Sequence, residues 1–476
     1  MNTISKTILK YEWKTFVRNR YQVVMLLASF VFGLYAIYYG QSEIDAQRET
    51  IVTITDLEDV EFSSYRDSFK GALESSAQEQ MHDIASRPEF AWFRHGYHAI
   101  LPPHDYAALA IGQRDLFRYY YRLTGMSLHY QLFENELANP VNLLAGNFDL
   151  SFVLIYLFPL LIIVFCYSSF SAEKENGTLP LLQVQSVSIG KIILLRLLFY
   201  FTIITGLALL ISFIGLFASG DLLDAENRIP AIIWILGVVT YCAFWFALLF
   251  LIISFRKSSA FNAMIAAGLW LLFLIVVPAL LNIIVTTKYP LSSTTLAGLT
   301  RRTGLENEND ENESREVIME FLSHEPGLAA SDSLIHHNMP AKAYAAFTAL
   351  KDINSNQEVT RYNLEVEKRS RWTKGFHWLS PSVNLQHLFA QVAKTDLETF
   401  LQFQKALTHF HGDITDFYFE KLFWDRPIRL EDYSNLPSFK IPPTHSNLYG
   451  VGTSLAKSGV MALIAFLVGF IKMKNQ

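Results

Sequence analysis

The chain has 476 residues, of which 51% are hydrophobic and only 17% charged, with a formal net charge of −5. Soluble globular chains carry about 25% charged residues, so this balance excludes a disordered protein and an ordinary soluble enzyme. It gives no basic surplus for nucleic acid, and the chain is read as binding none.

Residues 1–20 form the first element. Ile4, Ile8, Leu9, Trp13, Phe16 and Val17 alternate at helical spacing with Lys6, Lys10, Lys14 and Arg18, which predicts an amphipathic helix lying in the membrane interface, lysines toward anionic lipid headgroups. Apolar runs follow at 21–40, 150–170, 192–217, 229–254 and 259–286, with a weaker one at 455–471. Each is long enough to cross about 30 Å of hydrocarbon as a helix. Six spans are therefore expected. The first run ends in Tyr38 and Tyr39 without a small-residue cleavage pattern, so it reads as a retained span, not a signal peptide.

Basic residues in short connections set orientation. With both termini inside, the short inner segments hold twelve Lys and Arg (Lys6, Lys10, Lys14, Arg18, Arg20, Lys174, Lys191, Arg196, Arg256, Lys257, Lys472, Lys474) against Glu12, Glu173 and Glu175. That distribution predicts N-in, C-in topology. The two long connections, 41–149 and 287–454, then face outward as folded, mainly helical domains. Cores are expected around Phe90, Trp92, Phe93, Leu109, Ile111, Leu116 and Phe117, and around Phe400, Phe403, Leu407, Phe410, Phe417, Phe419 and Phe423. Apolar residues three and four apart predict helices over 341–372 and 382–423. The acidic stretch 306–313 reads as an exposed loop, and no run of alternating strands is evident. Cys166 and Cys242 both fall in spans, so the outer segments hold no disulfide.

The segment 171–191 is the predicted inner connection between the second and third spans. It reads S-A-E-K-E-N-G-T-L-P-L-L over 171–182. Its Gly permits a tight turn and its Thr suits a helix N-cap, predicting two short helices around a turn.

The E-K-E-N-G-T-L pattern directly after a span, the amphipathic helix ahead of the first span and the six spans resemble permeases of the ABC-2 type, the membrane half of an ATP-binding-cassette transporter. The resemblance implies that Glu173, Glu175, Gly177, Thr178 and Leu179 couple to a cytoplasmic ABC ATPase, present in two copies, with Trp13, Lys14 and Arg18 of the N-terminal helix flanking the dock. It also implies a second permease protomer, identical or similar, in a bacterial inner membrane. Residues 102–116, 379–386 and 395–403 resemble a branch with two enlarged outer connections, related to permeases encoded with copper-site maturation systems.

The chain has no G-x-x-x-x-G-K-[ST] phosphate loop, so it is not expected to be an enzyme; ATP and magnesium belong to the partner ATPase. Charge is nearly absent inside the spans, where Asp149, Arg196 and Lys457 sit near predicted ends, which disfavours a proton-coupled carrier or ion channel. Export or translocation of an unidentified substrate is the first reading. Motion transmitted to a periplasmic or membrane protein is the second, and a receptor or scaffold without an ATPase the third.

All thirteen histidines lie in the outer segments. His95, His98 and His104 are the metal-ligand candidates, His95 and His98 being spaced to share a helix face. Scarcity of histidine in lipid-facing helices explains the same distribution, and no H-E-x-x-H pair is present. Ser380, or His104 beside Asp105, is all a hydrolase could draw on, without a G-x-S-x-G elbow.

Overall fold

The computed structural model describes residues 3–70, 75–133, 147–184, 188–220, 222, 224–291, 311–329, 335–441 and 448–474. Residues 306–310 of the acidic stretch, and Pro442 and Pro443, lie outside them.

Among the described residues the fold is all-α apart from one small ribbon, with six helices long and apolar enough to cross a membrane. Helix α1 (Thr3–Arg18) meets α2 (Arg20–Asp67) at Asn19, whose backbone leaves the helical region. Helices α3 (Ser76–Ser86), α4 (Pro88–Arg94) and α5 (Leu128–Phe133) follow. Span helix α6 (Leu150–Glu175) leads to the short α7 (Leu179–Gln183). Three more spans are α8 (Ile189–Ser219), α9 (Asn227–Ile253) and α10 (Ser259–Lys288). Then come α11 (Glu311–His324), α12 (Met339–Phe376), α13 (Pro381–Val392) and α14 (Leu397–Phe423), and the last span, α15 (Gly450–Lys474).

Helix α2 does not stop where its apolar run ends near residue 40. Residues 41–67 contain no Gly or Pro, so nothing breaks the helix as it leaves the apolar layer. At 1.5 Å per residue its 48 residues extend about 70 Å. Phe62 and Tyr65 at its far end belong to the core of the large domain.

Two large hydrophobic cores result, and one small cluster of Ile44, Ala107 and Ala108. One fills the span bundle, centred on α9, where Trp234, Tyr241 and Trp245 are buried. The other joins both long connections, packing Trp92 and Leu123 with Phe321, Phe403, Phe419 and Phe423. The first connection also contains a ribbon that its sequence did not suggest. Strands β1 (Tyr97–Ile100) and β2 (Tyr120–Leu123) pair antiparallel with Tyr97 opposite Leu123.

Helix α13 belongs to the bundle, although it lies in the second long connection. Its Leu385, Leu388, Phe389 and Val392 are in the span core, and Phe389 stacks on Trp234 at 3.8 Å between ring centroids. Asn384 donates to the Ser454 carbonyl and to Ser458 on α15, both at 2.8 Å.

Spans α6 and α10 each contain one π turn, Val153–Leu157 and Leu272–Val276. A π turn leaves carbonyls without their usual helical donors, and side chains serve them here. Tyr241 donates to the Ile155 carbonyl at 2.9 Å, Trp270 to Tyr156 at 3.2 Å and Ser380 to Phe273 at 2.5 Å.

Candidate functional site

The turn between α6 and α8 sits at the end of the bundle that also carries α1 and the last residues of α15. Gly177 makes the turn with φ +74°, a conformation costly for any residue with a Cβ. No atom lies within 4 Å of where that Cβ would be, so glycine is needed for its backbone freedom and not for space. Thr178 does not cap α7, as its position suggests. Its hydroxyl turns back to donate to the Glu173 carboxylate, and its backbone N–H donates to the Glu173 carbonyl at 2.9 Å.

Arg196, in the first turns of α8, ties this element to the N-terminal helix. It donates to Glu12 and to Glu173, each at 2.6 Å, and to the Ser169 carbonyl at 2.9 Å. All three side chains are largely shielded, Glu12 having 7% of its side-chain surface exposed. A guanidinium presents a fixed fork of donors, so one residue can hold two carboxylates and a carbonyl at once. Glu175 is used differently: it accepts from the backbone N–H and the hydroxyl of Ser259, at 2.7 and 2.8 Å, at the start of α10. There its negative charge meets the unsatisfied N–H groups and positive pole of a helix N-terminus.

Thus both glutamates bond within the chain and fix the turn against α1, α8 and α10. The turn exposes two large apolar side chains, Leu181 at 70% and Val184 at 88%, among exposed Lys174, Asn176 and Gln183, while Leu179 packs inward on the span core. Sequence reasoning overlooked Leu181 and Val184, and also Arg196, Glu12 and Ser259 as partners. The one available signal was an arginine in an otherwise uncharged span.

Helix α1 is amphipathic in a less simple way than its lysines indicate. Ser5, Glu12 and Phe16 form its buried side, and Phe16 packs edge-on against Phe199 at 6.1 Å. Trp13 is half-exposed at the rim of the same ring, while Lys14 and Arg18 are exposed.

The three candidate metal ligands are not brought together. His95 follows α4 and His98 lies in β1, so the shared helix face does not form. His95 is fully buried, stacked on Tyr65, its Nδ1 2.7 Å from the Tyr418 hydroxyl. His98 Nδ1 lies 2.7 Å from Glu58, and His104 accepts from the Tyr106 N–H at 3.3 Å, capping a short turn. Among the described residues no group of three His, Cys, Asp or Glu could hold a metal ion. Ser380 is spent as the N-cap of α13, and Asp105 as an acceptor from Asn227.

Burial pushes the His95 imidazole down from 6.5 to about 3. The unfolded chain therefore takes up this proton first, and stability is complete above pH 6.5 and lost as pH falls toward 3. At pH 5 the expected loss from this group is about 2 kcal/mol. Denaturation of the wild type and His95→Gln at pH 7 and pH 5 checks it: the variant is expected to lose less stability on acidification.

A family model described as a domain of unknown function, DUF3526, matches residues 295–441, less than half of the chain. No curated protein and no solved structure matches.

Proposed function

We propose that the chain is the membrane permease of an ABC-2 type transporter, lying N-in and C-in in a bacterial inner membrane with its large domain on the periplasmic side. The observation that carries this reading is the α6–α8 turn. The end of α6 is fixed by Glu173 on Arg196, which also holds Glu12 of α1, and by Glu175 on Ser259 of α10; the short helix α7 that follows offers Leu181 and Val184 to solvent, which suits a lever seated in a groove of another protein. Two cytoplasmic ATPases would bind ATP and magnesium and push on two such turns, one from each permease protomer, identical or similar. The mostly exposed apolar surfaces of α2, α10 and α15 are where lipid or the second protomer would lie. The substrate is unidentified.

Copurification tests the reading. The tagged chain is expected to retain an ATPase subunit in mild detergent, and Leu181→Glu with Val184→Glu to reduce that recovery at least about tenfold, two buried apolar anchors being worth more than 1.4 kcal/mol together. Because both side chains are exposed, the melting temperature of the free chain should not move. Unchanged recovery would defeat the assignment. Charge reversal at Glu173 and Glu175 is a poorer test, because it breaks the bonds that shape the turn.

A second reading, transmission of motion to a periplasmic or membrane partner without solute passage, is favoured by α2. One unbroken helix runs from the junction with α1 into the core of the large domain.

A further inference from the structure

A cavity of about 830 Å³ lies where the spans meet the large domain, at the opposite end of the bundle from the turn. Ligand sites commonly have this size. One wall is apolar and belongs to the spans: Phe148, Phe152 and Tyr156 form a ladder with successive ring centroids 5.3 and 4.8 Å apart, beside Val285 of α10. The Ile155 carbonyl of the π turn, on the same stretch, is held by Tyr241. The polar groups come from the other walls, which mix polar and apolar residues of 110–116, α12, α13 and the start of α14.

The charges on these walls do not balance. Lys374 pairs with Glu398, which cancels both. Arg369 donates its Nε to the Tyr289 carbonyl at 2.5 Å. Against this one remaining cation among the described lining residues stand three carboxylates, Asp115, Asp149 and Asp396. Asp149 accepts from the backbone N–H of Ile111 and Phe152, at 2.9 and 2.8 Å, and Asp396 from the Thr399 hydroxyl at 2.7 Å. Neither has a cationic partner among these bonds. His377 and His387 also line the cavity, but burial pushes them down to about 4 and about 3, so at neutral pH they add no positive charge.

Hydrogen bonding is unbalanced in the same sense. The side-chain carbonyl of Gln113 and one carboxylate oxygen of Asp115 are buried without a hydrogen-bond partner among the described residues. Both are acceptors, and a buried acceptor left unmet is destabilising, more so if charged. Donors, positive charge and an apolar body would together satisfy this cavity, and aromatic faces near the carboxylates add cation–π attraction. An anionic amphiphile would set like charges together.

We propose that this cavity binds an amphiphile whose polar end is a protonated amine, the ammonium among Asp115, Asp149 and Asp396 and the apolar part along Phe148, Phe152 and Tyr156. Binding does not require the ATPase. That such an amine is also the transported cargo rests on the permease reading above.

The test uses the purified full chain in an uncharged maltoside, with tritiated dodecylamine as probe. Saturable binding is expected, with dodecanol and dodecanoate competing at least about tenfold more weakly than unlabelled dodecylamine, the difference a charge-assisted contact provides. Asp115→Asn and, separately, Val383→Trp, which fills the cavity from α13, are each expected to weaken binding about fivefold or more with the melting temperature retained. Competition by phosphatidylethanolamine but not phosphatidylglycerol would support a lipid headgroup as the source; competition by neither would support a single-chain amine. Equal competition by dodecanol, or binding unchanged in both folded variants, overturns the proposal. Should one variant fail to fold, the other decides. A negative result leaves ATPase recovery untouched, and loss of that recovery leaves amine binding untouched, so the two readings fail separately.

Discussion

Replacing Arg196 by Met is expected to destabilise the bundle by about 3–5 kcal/mol, the usual consequence of leaving buried charge without its partner. Arg196 holds Glu12 and Glu173 at 2.6 Å each, and neither carboxylate is open to water to any large extent. With the guanidinium gone, two negative charges face one cavity left by a long side chain. Arg196→Lys should recover only part of the loss, since an ammonium lacks the planar fork that reaches Glu12, Glu173 and the Ser169 carbonyl together. Chemical denaturation in mixed micelles measures both. The decisive comparison is Arg196→Met with Glu12→Gln and Glu173→Gln: removing the stranded charges should return most of the stability, whereas a packing role for Arg196 predicts no recovery.

Gly40→Val is expected to have the second large effect, at the place where α2 leaves the span layer. A Cβ at residue 40 would lie 1.9 Å from the Ala108 carbonyl oxygen and 2.9 Å from its carbon, both backbone atoms that cannot rotate aside. Ile44, one turn on, packs with Ala107 and Ala108, so the close approach is part of a continuous seam. Overpacking costs about 1–3 kcal/mol where side chains can adjust, and more is expected here because the backbone must part. Limited proteolysis of the membrane-embedded chain should show the 97–123 segment becoming cleavable while the spans stay protected. If instead Gly40→Val leaves cleavage unchanged and ATPase recovery normal, α2 is not clamped at this seam, and the motion-transmitting reading loses its support.

The six long apolar helices were legible because hydropathy needs only local composition: each contains an apolar run evident in the sequence. Helix ends were less so. The apolar run ends near residue 40, while the helix continues to Asp67, since exposed residues such as Asp45 and Glu49 are as compatible with a solvated helix as leucine is with a buried one. The ribbon was hidden by its length, four residues a strand, too short to display alternation. Helix α13 was assigned to an outer domain because it falls between the apolar runs 259–286 and 455–471; Ser380, Ser382 and Asn384 are buried there because each finds a partner on a span. At the turn, the residue types were visible and their roles were not. Glu173 and Glu12 are far apart in the chain, and only folding places both on Arg196.

The way α13 is inserted bears on any attempt to study the large domain by itself. Residues 287–454 look like a soluble module bounded by two spans, and the 295–441 match invites the same cut. A fragment cut there would carry Leu385, Leu388, Phe389 and Val392 away from Trp234 and the rest of the bundle core, exposing an apolar helix face to water. Such a face drives self-association, so the excised piece would be an aggregating fragment that lacks part of its own interior. Helix α13 ties the module to the span bundle, so any exchange of this domain between related chains must bring the facing surfaces of α9 and α15 with it.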